Sequence, residues 1–290
     1  MSAIKQEVTD LLVKALQEGN APWRRGWVGG MAPTSLSTGK AYQGINSLIL
    51  SLLGEGYSHP LWLTYKQAQT LGGNVKKGEK SVHVVYAAQK SIEPAQEGEK
   101  APSFFFYKWF NVFNVDQCEG IEIPAKYLPT GEVVEPIDAI NRLWDGYQNR
   151  PEMFYSEQGR AFYSPSEDSI TLPSLHQFKS AEEHAYTFAH EMIHSTGHES
   201  RANRWKNAED KPSRFGCESY AKEELIAEIG ACMLLANAGV QFDIPNSAAY
   251  LRSWIKELQN DTSLIFKASA KAQAASAYIE GTKVEEEVAA

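Results

Sequence analysis

Residues 188–198 read FAHEMIHSTGH. His190 and His194 are four positions apart, so on a helix they stand one turn apart on a common face. Two imidazoles at that spacing can grip one metal ion. Glu191 sits about 100° round the helix axis from His190. That is too far for a simple third ligand, but within reach of a water held at the metal. The flanking residues predict the helix this chemistry needs. Ser180 and Glu183 form the S-x-x-E signature of a capping box. Ala185, Phe188, Ala189, Met192 and Ile193 follow the i, i+3, i+4, i+7, i+8 spacing of a core-facing stripe. Gly197 is a natural C-terminal stop.

The pattern H-E-x-x-H is that of zinc metallopeptidases. A catalytic zinc takes three protein ligands and leaves a position open. The metzincin extension is excluded, because its last position here is Ser200 and not histidine. His198 comes too early for the same geometry and is expected to line the cleft. The third ligand is sought in YAKEELIAEIGACMLLANAG, residues 220–239. This helix is apolar almost all round, through Leu225, Ile226, Ile229, Met233 and Leu234. A buried helix carries acids only for a reason, since unpaired buried charge is costly. Glu224 and Glu228 share a face, while Glu223 is expected to point to solvent. The arrangement is similar to gluzincin peptidases, in which a downstream helix supplies a glutamate ligand and a further acid four residues on. That resemblance implies Glu224 as the ligand, and Glu228 as the acceptor that fixes a histidine N–H.

The implied reaction is metal-assisted hydrolysis, with zinc or another divalent metal such as manganese as Lewis acid. Glu191 would take the proton of the attacking water and pass it to the leaving amine. His198, Tyr220, Arg201 and Tyr163 are the candidates for a transition-state donor. FYSPSEDSITLP, ahead of the metal helix, is expected to offer an edge strand to an extended peptide.

The rest of the chain must hold this helix. With 43% hydrophobic and 22% charged residues over 290 positions, it is globular and long enough for two domains. No apolar run approaches the length of a membrane span, and the amphipathic N-terminus lacks the apolar stretch of a secretory signal. Cys118, Cys217 and Cys232 fit neither a disulfide framework nor a zinc knuckle, so a reducing, cytoplasmic setting without membrane contact is expected. Residues 2–19 read as a helix with Val8, Leu11, Leu12, Ala15 and Leu16 on one stripe. INSLILSLLGEGY predicts a helix ending near Gly54, and TYKQAQTLGG a short one capped by Thr64 and closed by Gly72. SVHVVYAAQ and SFFFYKWFNVFNV alternate as strands, joined by the polar stretch KSIEPAQEGEKAP. Prolines cluster in 124–136. Beyond them, IDAINRLWDGYQ predicts a helix, AFYSPSEDSITLP two short strands about a turn, and 181–196 and 220–238 two long helices. The tail KVEEEVAA is expected to fray. The expected class is α+β, with an N-terminal domain over 1–127, a linker over 128–136 and a second domain over 137–290. Charge divides the same way. Residues 1–127 carry 13 Lys+Arg against 11 Asp+Glu, net +2, and the remainder 15 against 25, net −10.

In the first half, PWRRGW sets Arg24 and Arg25 between Trp23 and Trp27. FFFYKWF interleaves Lys108 with aromatics, and VKKGEK adds Lys76, Lys77 and Lys80. Aromatic faces for bases beside cations for phosphates are what single-stranded nucleic acid requires. The runs TGKAYQGINSLIL, WLTYKQAQTLGGNVKKGEKSVHVVY, FYKWFNVFNVDQCEG, FAHEMIHSTGH and EELIAEIGACML, in that order, resemble the ArdC-type antirestriction proteins of conjugative plasmids. The first of these regions is also similar to the N-terminal part of TraC-like primases. The resemblance implies an N-terminal domain that binds single-stranded DNA, with Lys40 and Tyr42 of the first run joining its contact set. It also implies a C-terminal zincin-like metallopeptidase domain, and protection of incoming plasmid DNA from host restriction, with transfer of the protein alongside that DNA. The substrate of the peptidase stays open. So does a non-proteolytic alternative, a single-strand-binding protein whose metal site is structural or regulatory.

Overall fold

A computed structural model describes residues 2–19, 31–91, 103–128, 134–206, 218–240 and 248–284. The chain opens with α1 (Ser2–Gln17), then β1 (Thr34–Ser35), α2 (Gly44–Leu53), β2 (Leu61–Leu63), α3 (Tyr65–Thr70), β3 (Asn74–Val75), β4 (Val82–Ser91), β5 (Ser103–Asn114) and β6 (Cys118–Glu119). It continues with α4 (Pro136–Gly146), β7 (Glu152–Ser156), β8 (Phe162–Ser164), β9 (Ser169–Pro173), α5 (Ala181–Ser195), α6 (Glu218–Asn237), α7 (Ala248–Asn260) and α8 (Leu264–Glu280). The class is α+β.

The first half is built on a sheet in the order β1-β2-β5-β4, with β1 parallel to β2 and the other pairs antiparallel. β4 and β5 pair from Val82↔Val112 to Ser91↔Ser103, as their alternation predicts. A small ribbon joins β3 to β6. Thr64 caps α3 with a full capping box: its hydroxyl accepts from Gln67 N–H, and the Gln67 side chain accepts from Thr64 N–H. Asn46 of α2 reaches Val85 of β4 twice, donating to its carbonyl and accepting from its amide, each at 2.7 Å. That pair of bonds satisfies a buried amide and pins helix to sheet.

A second sheet runs β7-β9-β8, with β7 parallel and β8 antiparallel to β9. Ser169–Pro173 is therefore the central strand, because β7, which the sequence pattern did not disclose, pairs along its other side. The edge strands of this sheet are β7 and β8. Ile170 and Leu172 of β9 are buried and belong to the core that α5 enters, while Phe154 and Phe162 stand exposed on either side of Thr171.

The main hydrophobic core crosses the expected linker. Val8, Leu12 and Leu16 of α1 and Leu48 and Ile49 of α2 share one buried cluster with Ile140, Phe188, Leu225, Trp254, Leu258 and Ile265. The Thr9 hydroxyl donates to the Thr262 carbonyl at 3.2 Å, and the Gly44 amide to Gln273 Oε1 at 3.3 Å. The helices that begin the chain thus pack on those that end it. No helix among the described residues is long and apolar enough to cross a membrane. The joining stretch 92–102, Cys217 and the last six residues of the acidic tail lie outside the described residues.

Candidate metal centre

Ser180 starts α5, its hydroxyl accepting from the Glu183 amide at 3.2 Å. The reciprocal half of the expected capping box is different. Glu183 takes the amide of Lys179, one residue before the cap, at 2.8 Å. All five stripe residues are buried. At the far end Gly197 takes no positive φ. It is glycine for another reason: a Cβ there would lie 2.2 Å from Cε2 of Trp205, whose indole covers that spot.

α6 presents no solvent face along its middle. From Ala221 to Ala236 every residue but Lys222 is buried. Gly230 lets it approach α5 closely, since a Cβ there would sit 2.9–3.0 Å from three carbons of Ile193. This close packing brings Glu224 to the histidine face. His190 Nε2 and His194 Nε2 are 3.0 Å apart, and they lie 3.6 Å and 3.5 Å from the two Glu224 carboxylate oxygens. Ligand atoms of a tetrahedral site with bonds of about 2.0–2.1 Å are separated by about 3.4 Å. The triangle therefore has the dimensions of a zinc-sized cation's first sphere, with donors of the right chemistry. Glu191 is buried too, at 7% exposure.

The electrostatics fit a cation. Burial opposes the charge on His194, but hydrogen bonds to Glu223 and Glu224 outweigh it and raise its pKa to about 10. Burial likewise opposes charge on His190, and Glu224 again reverses the direction. Burial works against the ionised form of Glu224, yet the two imidazoles hold its carboxyl well below the usual range. A divalent ion held by His190, His194 and Glu224 would take over the positive charge that protons otherwise carry.

The acids differ from expectation at one position. Glu223 is 3% exposed rather than solvated. It faces His194 Nδ1 at 3.0 Å and accepts from Arg204 and from Trp205 Nε1. Burial raises its pKa, but Arg204 and His194 win and bring it to about 2. A carboxylate in an apolar helix needs such partners, and here they come from a loop the helix pattern does not contain. Glu228 stands with Oε1 3.6 Å from His190 Nδ1 and accepts from the Tyr186 hydroxyl at 2.5 Å.

Of the expected transition-state donors, Arg201 and Tyr163 are engaged in a lock behind the site. Arg201 donates to the carbonyls of Ser195 at 2.8 Å and Asn149 at 2.9 Å, to Tyr163 Oη at 3.0 Å and to both oxygens of Asp168. Tyr163 donates to Asp168 at 2.7 Å. Burial works against charge on Asp168, but these donors hold its carboxyl below the usual range. Asn149 and Asp168 both adopt a positive φ, at 53° and 47°, which these two residue types tolerate best after glycine. The lock ties the end of α5 to the β8–β9 turn. His198 Nδ1 accepts from the Ser200 amide at 3.2 Å, and Tyr220 is half-buried in the first turn of α6.

Of the expected DNA contacts, Trp23, Arg24, Arg25 and Trp27 lie outside the described residues. Lys76, Lys77 and Lys80 are exposed on the turn between β3 and β4, with Lys76 Nζ donating to the Asp116 carbonyl at 2.8 Å. Lys40 and Lys108 are exposed, and Tyr42 is half-buried.

Comparison with known proteins places both halves. Residues 2–113 match the N-terminal domain of the anti-restriction factor ArdC, and residues 148–271 match the zincin-like metallopeptidase family, a class that implies zinc. The DNA primase TraC of Escherichia coli is 36% identical over 92% of this chain, which spans only 26% of the primase. The uncharacterized protein y4eC of Sinorhizobium fredii is 30% identical, with 93% of this chain and 89% of that protein covered. The crystal structure of the antirestriction protein ArdC from plasmid R388, metal-free, superposes with a TM-score of 0.76 at 37% identity over 97% of this chain and 99% of that one. The Mn(II)-bound form of the same protein gives 0.75 at 36% over 96% and 97%. With near-complete coverage in both directions and the same two domains in the same order, the chain belongs to the ArdC family of antirestriction proteins.

Proposed function

We propose that this protein binds single-stranded DNA, protects incoming plasmid DNA from restriction in the cytoplasm, and carries a hydrolytic metal site made by His190, His194 and Glu224. The observation that carries the metal site is the triangle of two half-buried imidazoles and one buried carboxylate, with ligand atoms 3.0–3.6 Å apart, held between α5 and α6. Bound there, zinc or manganese supplies Lewis acidity toward a peptide carbonyl. Glu191 lies outside the triangle and serves as the general base, taking a proton from water and delivering it to the leaving amine. The free edge of β8 accepts an extended peptide by strand addition. Family membership and the exposed lysines at 40, 76, 77, 80 and 108 support the DNA half.

Glu191→Gln in the full chain tests the division of labour. Its DNA face and metal ligands stay intact, so coating of single strands predicts full protection when conjugation into restricting and non-restricting hosts is compared. We expect protection to persist while any peptidase activity on casein or restriction subunits falls by about 10²–10⁴. Loss of protection, with single-strand binding unchanged, makes proteolysis the protective agent.

A further inference from the structure

The outer hydrogen-bond partner of a metal-binding imidazole decides which nitrogen meets the metal and how firmly the ring is aimed. His190 and His194 are unequal in this respect. His190 Nδ1 makes no hydrogen bond among the described residues, its nearest acid being Glu228 at 3.6 Å. His194 Nδ1 lies 3.0 Å from Glu223 Oε1. With Nε2 given to a metal, Nδ1 holds the ring's one nitrogen-bound hydrogen, and Glu223 is there to accept it.

Glu223 is itself immobilised. Its Oε1 also accepts from Arg204 Nη2, and its Oε2 accepts from Trp205 Nε1 at 3.1 Å and Arg204 Nε at 3.3 Å. Arg204 in turn donates to the Ile193 carbonyl at 2.8 Å, the His194 carbonyl at 3.4 Å and the Thr196 hydroxyl. These groups belong to the C-terminal turn of α5, where Arg204 adds to the bonds that the Thr196 and Gly197 amides make to the same two carbonyls. The Trp205 ring is seated on Gly197. The carboxylate therefore cannot turn away without depriving the Arg204 guanidinium and the Trp205 indole N–H of their acceptor.

We infer that Glu223, clamped by Arg204 and Trp205, is the positioning residue that aims His194 Nε2 at the metal, and that residues 196–206 are thereby part of the metal site. The inference rests on the reading of His190, His194 and Glu224 as ligands. It assigns the stronger aiming role to Glu223 and the weaker to Glu228.

The test uses the full-length chain, stripped of metal and titrated with zinc against a chelator. Glu223→Ala is expected to weaken zinc binding about 10–100-fold, more than Glu228→Ala does. In the zinc-loaded wild type the His194 Nδ1 proton gives a slowly exchanging resonance, which Glu223→Ala abolishes. A purely structural role would leave that signal in place in every folded variant. Should Glu223→Ala fail to fold, Glu223→Gln and Trp205→Phe decide. Trp205→Phe removes one donor to Oε2 while keeping a ring on Gly197, and both variants are expected to weaken zinc binding and speed that proton's exchange. Folded Glu223 variants with wild-type affinity and resonance overturn the proposal. A wild type that takes up no zinc at all, like His194→Ala, overturns instead the ligand reading beneath it, and the proposal with it.

Discussion

Gly230→Ala should have opposite signs in two backgrounds. In an isolated helix the change stabilises by about 1 kcal/mol, because glycine loses more backbone entropy on ordering. In α6 the new Cβ meets Cδ1 of Ile193 at 2.9 Å and its Cγ1 and Cγ2 at 3.0 Å. Carbons prefer about 3.5–4.0 Å, so α5 and α6 must separate by about 0.5–1 Å. Overpacking of that kind costs about 1–3 kcal/mol, leaving a net destabilisation of about 0–2 kcal/mol. Ile193→Ala removes all three obstructing carbons, at its own cost of about 2–5 kcal/mol. In that background Gly230→Ala meets no obstruction and should stabilise by about 1 kcal/mol or more. Guanidinium unfolding of the four metal-free proteins measures the cycle, with equal m-values as the condition for comparing midpoints. Zinc affinity should fall in Gly230→Ala alone, because Glu224 rides on the displaced helix. A stabilising Gly230→Ala in the wild-type background, additive with Ile193→Ala, would refute the close approach of the two helices.

His194→Ala should abolish stoichiometric metal binding and Glu191→Gln should retain it, as read by metal analysis after gel filtration. Glu224→Ala should lose the metal, and a normal affinity there with loss in Glu228→Ala would exchange the two acids. Arg201→Met leaves the Ser195 and Asn149 carbonyls without their charged donor and should cost about 1.5–3 kcal/mol in chemical unfolding. Asp168→Asn should cost less, because Asp168 is 35% exposed and water can replace its partner. The pKa of His194, raised to about 10 from 6.5, sets a pH window for the metal-free protein. Its contribution to stability is complete below pH 6.5 and lost as pH climbs to about 10, so the unfolding midpoint should fall across that range. Zinc-loaded protein should lack this slope, since the metal replaces the proton. Replacing Lys77 and Lys80 together by Gln should weaken binding to single-stranded oligonucleotides and flatten its dependence on salt, measured by fluorescence anisotropy.

Local elements were legible in the sequence because their causes are local. The Thr64 cap, the alternation of β4 and β5 and the stripe of α5 each depend on residues a few positions apart. The spacing of His190 and His194 needs only the geometry of one helix. Neither α7 nor α8, nor β7, is among the elements expected from the sequence, and for β7 the reason is plain. β7 alternates poorly, with Phe154 and Tyr155 both exposed, and it is a strand only because β9 runs beside it. α5 does end beside Gly197, as expected, but what requires a glycine there is the indole of Trp205, eight residues on, and not a positive φ.

Residue order alone settles which residue types stand ready to hold a metal and that they sit on helices, since 3.6-residue periodicity and capping are properties of short segments. Tertiary structure alone decided which acids face which nitrogens. Glu223, Glu224 and Glu228 lie on one apolar helix, where spacing pairs Glu224 with Glu228 but shows neither that Glu223 is buried nor which acid meets which nitrogen. The separation comes from the depth at which Gly230 seats α6 against Ile193, and from Arg204 and Trp205 folding back beneath Glu223. It also came from packing at long range that α1 and α2 close the core of α5–α8. An amphipathic stripe announces that a partner exists, and only the assembled fold says which one.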